Sequence, residues 1–255
     1  MMRLITLGTG TVAFSSSRVC AGHYIEAGDV RILLDCGSGV THRLAQHVPE
    51  WRTITHVAFT HFHLDHIADF PTLVYGWKYG SLPGRSLPLH VIGPMGIADL
   101  LASMATTFGD WLRDPGFPIV VTEIAPDELL ELGDVRLIAT KVPHTPESVA
   151  YSVERNGRRI VFTGDTGLDL NVAERLRGAD LLLSECSLPA AMGIPEHLTP
   201  EQCASFAAAA VPVHYVLTHF YPPVESVDIA GIIATQFAGR VTLARDGELF
   251  VIEED

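Results

Sequence analysis

Between Thr60 and His66 the chain reads Thr-His-Phe-His-Leu-Asp-His, so three imidazoles and a carboxylate fall within the six residues from His61 to His66. The cluster follows the apolar run Val57-Ala58-Phe59, which carries it against a core. A ring buried there must find partners for its nitrogens or lose its hydrogen bonds to water. A divalent cation accepts several imidazoles and a carboxylate at once. The H-x-H spacing of His61 and His63 suits a strand end, where alternate side chains point the same way. The Asp65-His66 pair that follows can turn toward a second ion.

Other chemistry-bearing residues stand alone at the ends of strand-like runs. His144 lies just past Val135–Thr140, in Val-Pro-His-Thr. Asp165 sits in Thr-Gly-Asp-Thr-Gly after an apolar strand, well placed to bridge two metals. Glu185 follows the apolar stretch Ala179–Leu183, His197 opens His-Leu-Thr-Pro, and His219 ends Val213–Leu217-Thr-His. Asp35, in Leu-Asp-Cys-Gly, suits either a partner of metal ligands or a cap for the next segment.

The elements that must position these residues alternate between strand and helix. Residues 3–7 read as a first strand, and 22–27 with 30–34 as a hairpin around Gly28-Asp29. A helix then runs to about Val48, where Pro49 stops it. Strands are expected over 54–59, 87–92, 119–124 and 135–140, with a polar loop between the last two. A helix is expected from Gly93-Pro94 to about Thr107. Asn156-Gly157 marks a second hairpin over 149–154 and 158–162, which also accounts for the basic run Arg155 to Arg159. Thr199 is a plausible N-cap, with Pro200 at the first position of a helix through about Ala210. A helix over 171–177, a helix over 226–238 and strands 241–245 and 248–252 complete the pattern. Trp77, Phe108, Trp111 and Tyr221 are candidates for a substrate wall, although packing is the commoner role of such aromatics. With no linker or low-complexity tract, and with site residues in both halves, 1–255 reads as one domain.

Composition narrows the function. The net charge is −13, from 17 Lys and Arg against 30 Asp and Glu. A general nucleic-acid binder needs a basic patch to neutralise phosphates, so a long polyanion is disfavoured and a small substrate allowed. No apolar run approaches the roughly 18 residues of a membrane span, and the N-terminus reads as a strand, not a signal peptide. Cys20, Cys36, Cys186 and Cys203 show no C-x-x-C spacing, so free thiols and a reducing cytoplasm are expected.

The H-x-H-x-D-H stretch, followed in order by His144, Asp165 and His219, resembles the signature of the metallo-β-lactamase superfamily over nearly the whole chain. The resemblance implies an α/β fold, an αββα four-layer sandwich, with a two-metal site at one edge of the sheets. Carried over by position, His61, His63 and His144 would hold one metal, Asp65, His66 and His219 the second, and Asp165 would bridge them. Zinc suits this set of His and Asp ligands, and manganese or iron is allowed. Two adjacent metals lower the pKa of a shared water. Within the superfamily, Ser184-Glu185-Cys186 and His197-Leu198-Thr199 resemble the ribonuclease Z and phosphodiesterase branch. There the His is a general acid and the Glu orients it. The branch's tRNA-gripping arm, usually inserted between the third metal-binding His and the bridging Asp, has no room here, because one tight hairpin joins His144 to Asp165. Phe220-Tyr221-Pro222-Pro223 also lacks the Ser and Arg of true ribonucleases Z.

The reading is a cytosolic phosphodiesterase for small diesters, such as cyclic nucleotides. A bridging hydroxide held by Asp65 would attack phosphorus, and His197, aligned by Glu185, would protonate the leaving oxygen. The alternatives are a lactonase or other acyl hydrolase on the same metals, tRNA 3′ processing, and a non-catalytic metal-binding module. The resemblance also allows a homodimer.

Overall fold

Alternation along the strands decides the layers. In a computed structural model, which describes residues 1–80 and 83–253, the chain forms two seven-stranded mixed sheets. The first sheet runs in the order β14 (Glu248–Ile252), β1 (Met2–Gly8), β2 (Gly22–Ala27), β3 (Val30–Leu34), β4 (His56–Ala58), β5 (Leu89–Gly93) and β6 (Ile119–Glu123). The second runs β13 (Arg240–Leu243), β12 (His214–Thr218), β11 (Leu181–Glu185), β10 (Arg158–Phe162), β9 (Val149–Arg155), β8 (Val135–Lys141) and β7 (Leu129–Leu132). In each sheet one half is antiparallel and the other, β3 to β6 or β10 to β13, is parallel.

Successive side chains on a strand face opposite sides. Leu4, Ile25, Ile32 and Leu34 of the first sheet therefore meet Leu137, Tyr151, Ile160 and Leu183 of the second in a shared core. The intervening residues face outward. Leu7, Leu33, Val57 and Val91 pack under α1 (Val40–His47), α3 (Phe70–Tyr79) and α4 (Ile97–Phe108). Val161, Leu182, Tyr215 and Leu217 pack under α5 (Leu170–Arg175), α6 (Pro200–Ala210) and α7 (Ile229–Ile233). The result is the expected αββα sandwich. No helix among the described residues is long and apolar enough to cross a membrane.

Most expected elements are present. Asn156 and Gly157 take positive φ (49° and 74°), as the two-residue turn between β9 and β10 requires. Thr199 caps α6 through a reciprocal box with Gln202. The basic run is structural, with Arg158 on Asp180 and Arg159 on Ser152.

Three readings are corrected. The loop expected between 124 and 135 contains edge strand β7, paired with β8. The helix expected over 226–238 is confined to Ile229–Ile233, preceded by a 3-10 turn over Pro222–Ser226. Trp77 forms no wall: it is fully buried on α3, stacked with Trp51 and edge-on to Phe117.

Candidate metal centre

The residues singled out in the sequence converge at one end of the sandwich, just past the C-terminal ends of β4, β8, β10, β11 and β12. His61 and His63 follow β4, and Asp65 and His66 lie on a single helical turn, α2 (Leu64–Ile67). Backbone contacts fix this turn. Cys36 N–H donates to His66 O at 2.6 Å, and a Cβ on Gly37 would stand 1.9 Å from Asp65 O, so only glycine fits there. His219 itself adopts φ 58°, a strained conformation for a residue with a side chain.

One nitrogen or oxygen each from His61, His63, His144 and Asp165 lies within 4.8 Å of all the others, and Asp65, His66 and His219 form a second such group. Asp165 stands between the two groups. Its Oδ2 is 3.8 Å from both His61 Nε2 and His144 Nε2, and its Oδ1 is 3.2 Å from His66 Nε2 and 3.3 Å from His219 Nε2. Asp65 Oδ2 lies 3.5 Å from His219 Nε2. All seven ligands expected from sequence are thus brought together.

The hydrogen bonds behind the rings say what the interior needs. His66 Nδ1 is 2.7 Å from Asp35 Oδ2, and His144 Nδ1 is 2.9 Å from the Glu196 carbonyl. His61 Nδ1 is 3.0 Å from Thr60 Oγ1, a hydroxyl that donates to Asp35. His219 Nδ1 is 2.9 Å from Ser187 Oγ, a hydroxyl that donates to Glu185. Every one of these outer partners must accept, so each Nδ1 carries the proton and each Nε2 keeps a lone pair facing inward. The Nε2 atoms of His61, His66 and His219 and Oδ1 of Asp165 are buried without a hydrogen-bond partner. His63 Nδ1 and His144 Nε2 face each other at 3.1 Å. Converging lone pairs on buried atoms fit divalent cations and suit little else.

Burial pushes the pKa of His61 well below its ordinary value and lowers that of His63. Burial opposes the charged form of His66, but Asp165 and Asp35 hold its pKa well up. Burial likewise opposes ionisation of Asp165, yet the rings of His219, His66 and His61 hold its carboxyl far below the usual range. Burial opposes ionisation of Asp65 too, but the neighbouring His219 and His66 rings together hold its carboxyl low.

Beside the cluster, His197 Nδ1 is 3.0 Å from Oε1 of Glu185. Glu185 is completely buried and also accepts from Thr166 N at 2.6 Å, Leu198 N at 3.0 Å and the Ser187 hydroxyl. Burial works against a charged His197, but the hydrogen bond and charge of Glu185 prevail and raise its pKa to about 9. Tyr221 stands over the pair, its ring 6.2 Å from His197 and 6.0 Å from His219. Trp111 instead lies edge-on to Tyr75 on the helical flank, its indole N–H donating to the Phe108 carbonyl.

Asp35 serves as the partner of His66 rather than as a helix cap. Ser187, which joins Glu185 to His219, and Thr60, which joins Asp35 to His61, were not singled out in the sequence. No local pattern marks them, although both lie within two residues of a recognised site residue.

Comparison with known proteins bears on this arrangement. A family profile described as "Beta-lactamase superfamily domain" matches residues 30–220. The chain is 28% identical to a protein named ribonuclease Z from Mycobacterium marinum, over 96% of this chain and 97% of that one. Its fold is similar to the metallo-beta-lactamase fold protein YhfI from Bacillus subtilis (TM-score 0.83, 23% identity, 98% of each chain). It is also similar to the short form of human tRNase Z (TM-score 0.79, 25% identity, 98% of this chain and 99% of that one). The chain belongs to the beta-lactamase superfamily and is, with its His and Asp cluster, a metal-dependent hydrolase.

Proposed function

We propose that this protein is a dinuclear phosphodiesterase for small diesters. The observation that carries the reading is the Glu185–His197 pair beside the two ligand groups. A diester leaving group departs as an alkoxide and benefits from a proton donor. An acyl hydrolase on the same metals would need no such acid.

His61, His63 and His144 would hold one cation, Asp65, His66 and His219 the other, and Asp165 both. Zinc suits these donors best. Two cations there would supply Lewis acidity toward the phosphoryl oxygens and a nucleophile from water at neutral pH. The chain's own residues do the rest. Asp35, Thr60, the Glu196 carbonyl and Ser187 fix the ring tautomers. Asp65, anionic and anchored by Val12 N–H at 3.1 Å, would accept a hydrogen bond from the attacking water and hold it in place. His197, with Nδ1 tied to Glu185, offers Nε2 to the leaving oxygen. At neutral pH a group with a pKa near 9 carries the proton it must give.

The tight turn joining β9 to β10, between His144 and Asp165, leaves no arm to hold tRNA. With a net charge of −13, this favours a small substrate over the tRNA named for some relatives. The chain reads as one domain, and its four free buried thiols suit a reducing cytoplasm. The test compares wild type with His197→Ala, both metal-loaded, on an activated p-nitrophenyl diester and on cyclic nucleotides. A roughly 10²–10⁴-fold loss on the cyclic nucleotides alone supports the assignment. Equal losses on both substrates remove His197 from the acid role, and a wild type inert to every diester but active on lactones overturns the phosphodiesterase reading.

A further inference from the structure

The segments that carry the site residues expose apolar side chains and few cations. Val12 and Phe14 belong to the loop whose backbone anchors Asp65, and they are 55% and 97% exposed. Leu64, between two of the ligands, is 72% exposed. Leu168 and Ile194, also exposed, flank segments in contact: a Cβ on Gly167 would stand 1.9 Å from Pro195 O, and Ile194 O accepts the His197 amide at 3.3 Å. Tyr221 lies beside them, its ring 6.2 Å from His197.

Segments 60–69, 142–148, 163–170, 185–199 and 218–226, which supply the site and its rim, contain no Lys or Arg. The loop over 9–20 contains one, Arg18, and it is engaged. Its guanidinium bonds Glu225 at 2.6 Å, Thr9, and the Ala244 carbonyl at 2.7 Å, and lies over Phe220. Lys141 donates to the carbonyls of Thr145 and Ser148. The same segments carry Glu147, Asp169 and Glu196, while Glu225 is paired with Arg18. Cations at the ligand cluster would meet the single charge of a diester. A second anionic group on the substrate would leave water for a rim that offers apolar surface and carboxylates, at a cost in affinity.

We propose that this site selects phosphodiesters bearing one negative charge and an uncharged, apolar, preferably aromatic ester group, and discriminates against substrates with a second phosphate. The proposal rests on the phosphodiesterase reading and specifies its substrate class. Exposed aromatic and aliphatic side chains at the rim gain by covering such a group.

The test uses three diesters with the same p-nitrophenolate leaving group: p-nitrophenyl phenyl phosphate, thymidine 5′-(p-nitrophenyl phosphate), and the latter with a 3′-phosphate. The expected order of kcat/KM is phenyl at or above thymidine, with the 3′-phosphorylated compound lower by about tenfold or more. Leu64→Lys should close the last gap, and Phe14→Ser should raise KM for the phenyl diester with kcat unchanged. Calorimetric binding of methyl benzylphosphonate against its ring-carboxylated analogue should give the same preference without turnover. If all three diesters are cleaved equally well, or the 3′-phosphate improves turnover, the charge discrimination is refuted while the phosphodiesterase reading stands. If none is cleaved, both fall.

Discussion

Replacing Glu185 with Gln isolates the charge that governs His197. The side chain is completely buried and keeps nearly the same shape, so an oxygen remains for the Leu198 or Thr166 amide while the carboxylate is lost. In wild type the His197 pKa is raised to about 9. Without the anion it should return to about 6.5 or lower, a change worth on the order of 3 kcal/mol in proton affinity. At pH 8 a ring with a pKa near 9 is about 90% protonated, and one near 6.5 only about 3%, so the fraction able to donate falls roughly 30-fold; at pH 6 the two differ by less than about twofold. The defect of Glu185→Gln on an unactivated diester should therefore grow steeply between pH 6 and pH 8. Bound cations move both pKa values downward together and carry this window with them. The assay is kcat against pH for wild type and variant, on a methyl-type and a p-nitrophenyl leaving group, with metal content measured at each pH. A defect of the same size at every pH, or one as large for the p-nitrophenyl ester, would refute the reasoning, because a p-nitrophenolate leaves without a proton.

Other consequences are checked separately. Asp35→Asn removes the carboxylate that fixes His66 and should weaken metal retention about 10–100-fold against a competing chelator. Burial lowers the pKa of both His56 and His214 to about 4, so the folded state binds fewer protons than the unfolded chain below about pH 6.5. Stability should fall as pH drops from about 6.5 to about 4, and His214→Asn should flatten that slope in urea titrations. Val211 ends α6 in the left-handed region at φ 45°, where a branched residue is strained, so Val211→Gly should raise the urea midpoint by about 1 kcal/mol equivalent.

The clustering of the candidate ligands was legible because His61, His144, Asp165 and His219 follow strand ends marked by apolar runs, and the motif packs donors too densely to remain unpartnered. Strands such as Leu181–Glu185 were legible for the same reason, since a short apolar run can only be buried. Strand β7 was not. Leu129-Leu130-Glu131-Leu132 is a half-exposed edge strand without alternation, and its pairing with β8 comes from tertiary contact. Helix α3 carries Pro71, Gly76 and four aromatics, weak local helix formers, and forms because Phe70, Leu73, Val74 and Trp77 are buried against the sheet. The terminal helix was read too long because its apolar spacing continues past Ile233, whereas the helical turns stop there.

The hydrogen-bonding partners of the ligands were harder to read for a reason that also explains how the site works. Asp35 is 31 residues from His66 in sequence, and Ser187 is 32 from His219. A serine or aspartate has no signature that forecasts a contact of that range. These contacts arise because the parallel halves of both sheets end at the same edge, so loops distant in sequence meet there. Backbone strain supports the same view: Asp35 and His219 both hold positive φ, at 57° and 58°, one bonded to a ligand ring and the other a ligand candidate itself. The folded sandwich imposes these conformations and so fixes the direction of every inward lone pair before a cation arrives. The cluster therefore binds metal by preorganisation rather than by folding around it, and chelation should leave the sandwich folded while abolishing turnover. Loss of the far-ultraviolet dichroism on chelation would show instead that the cations hold the two sheets together.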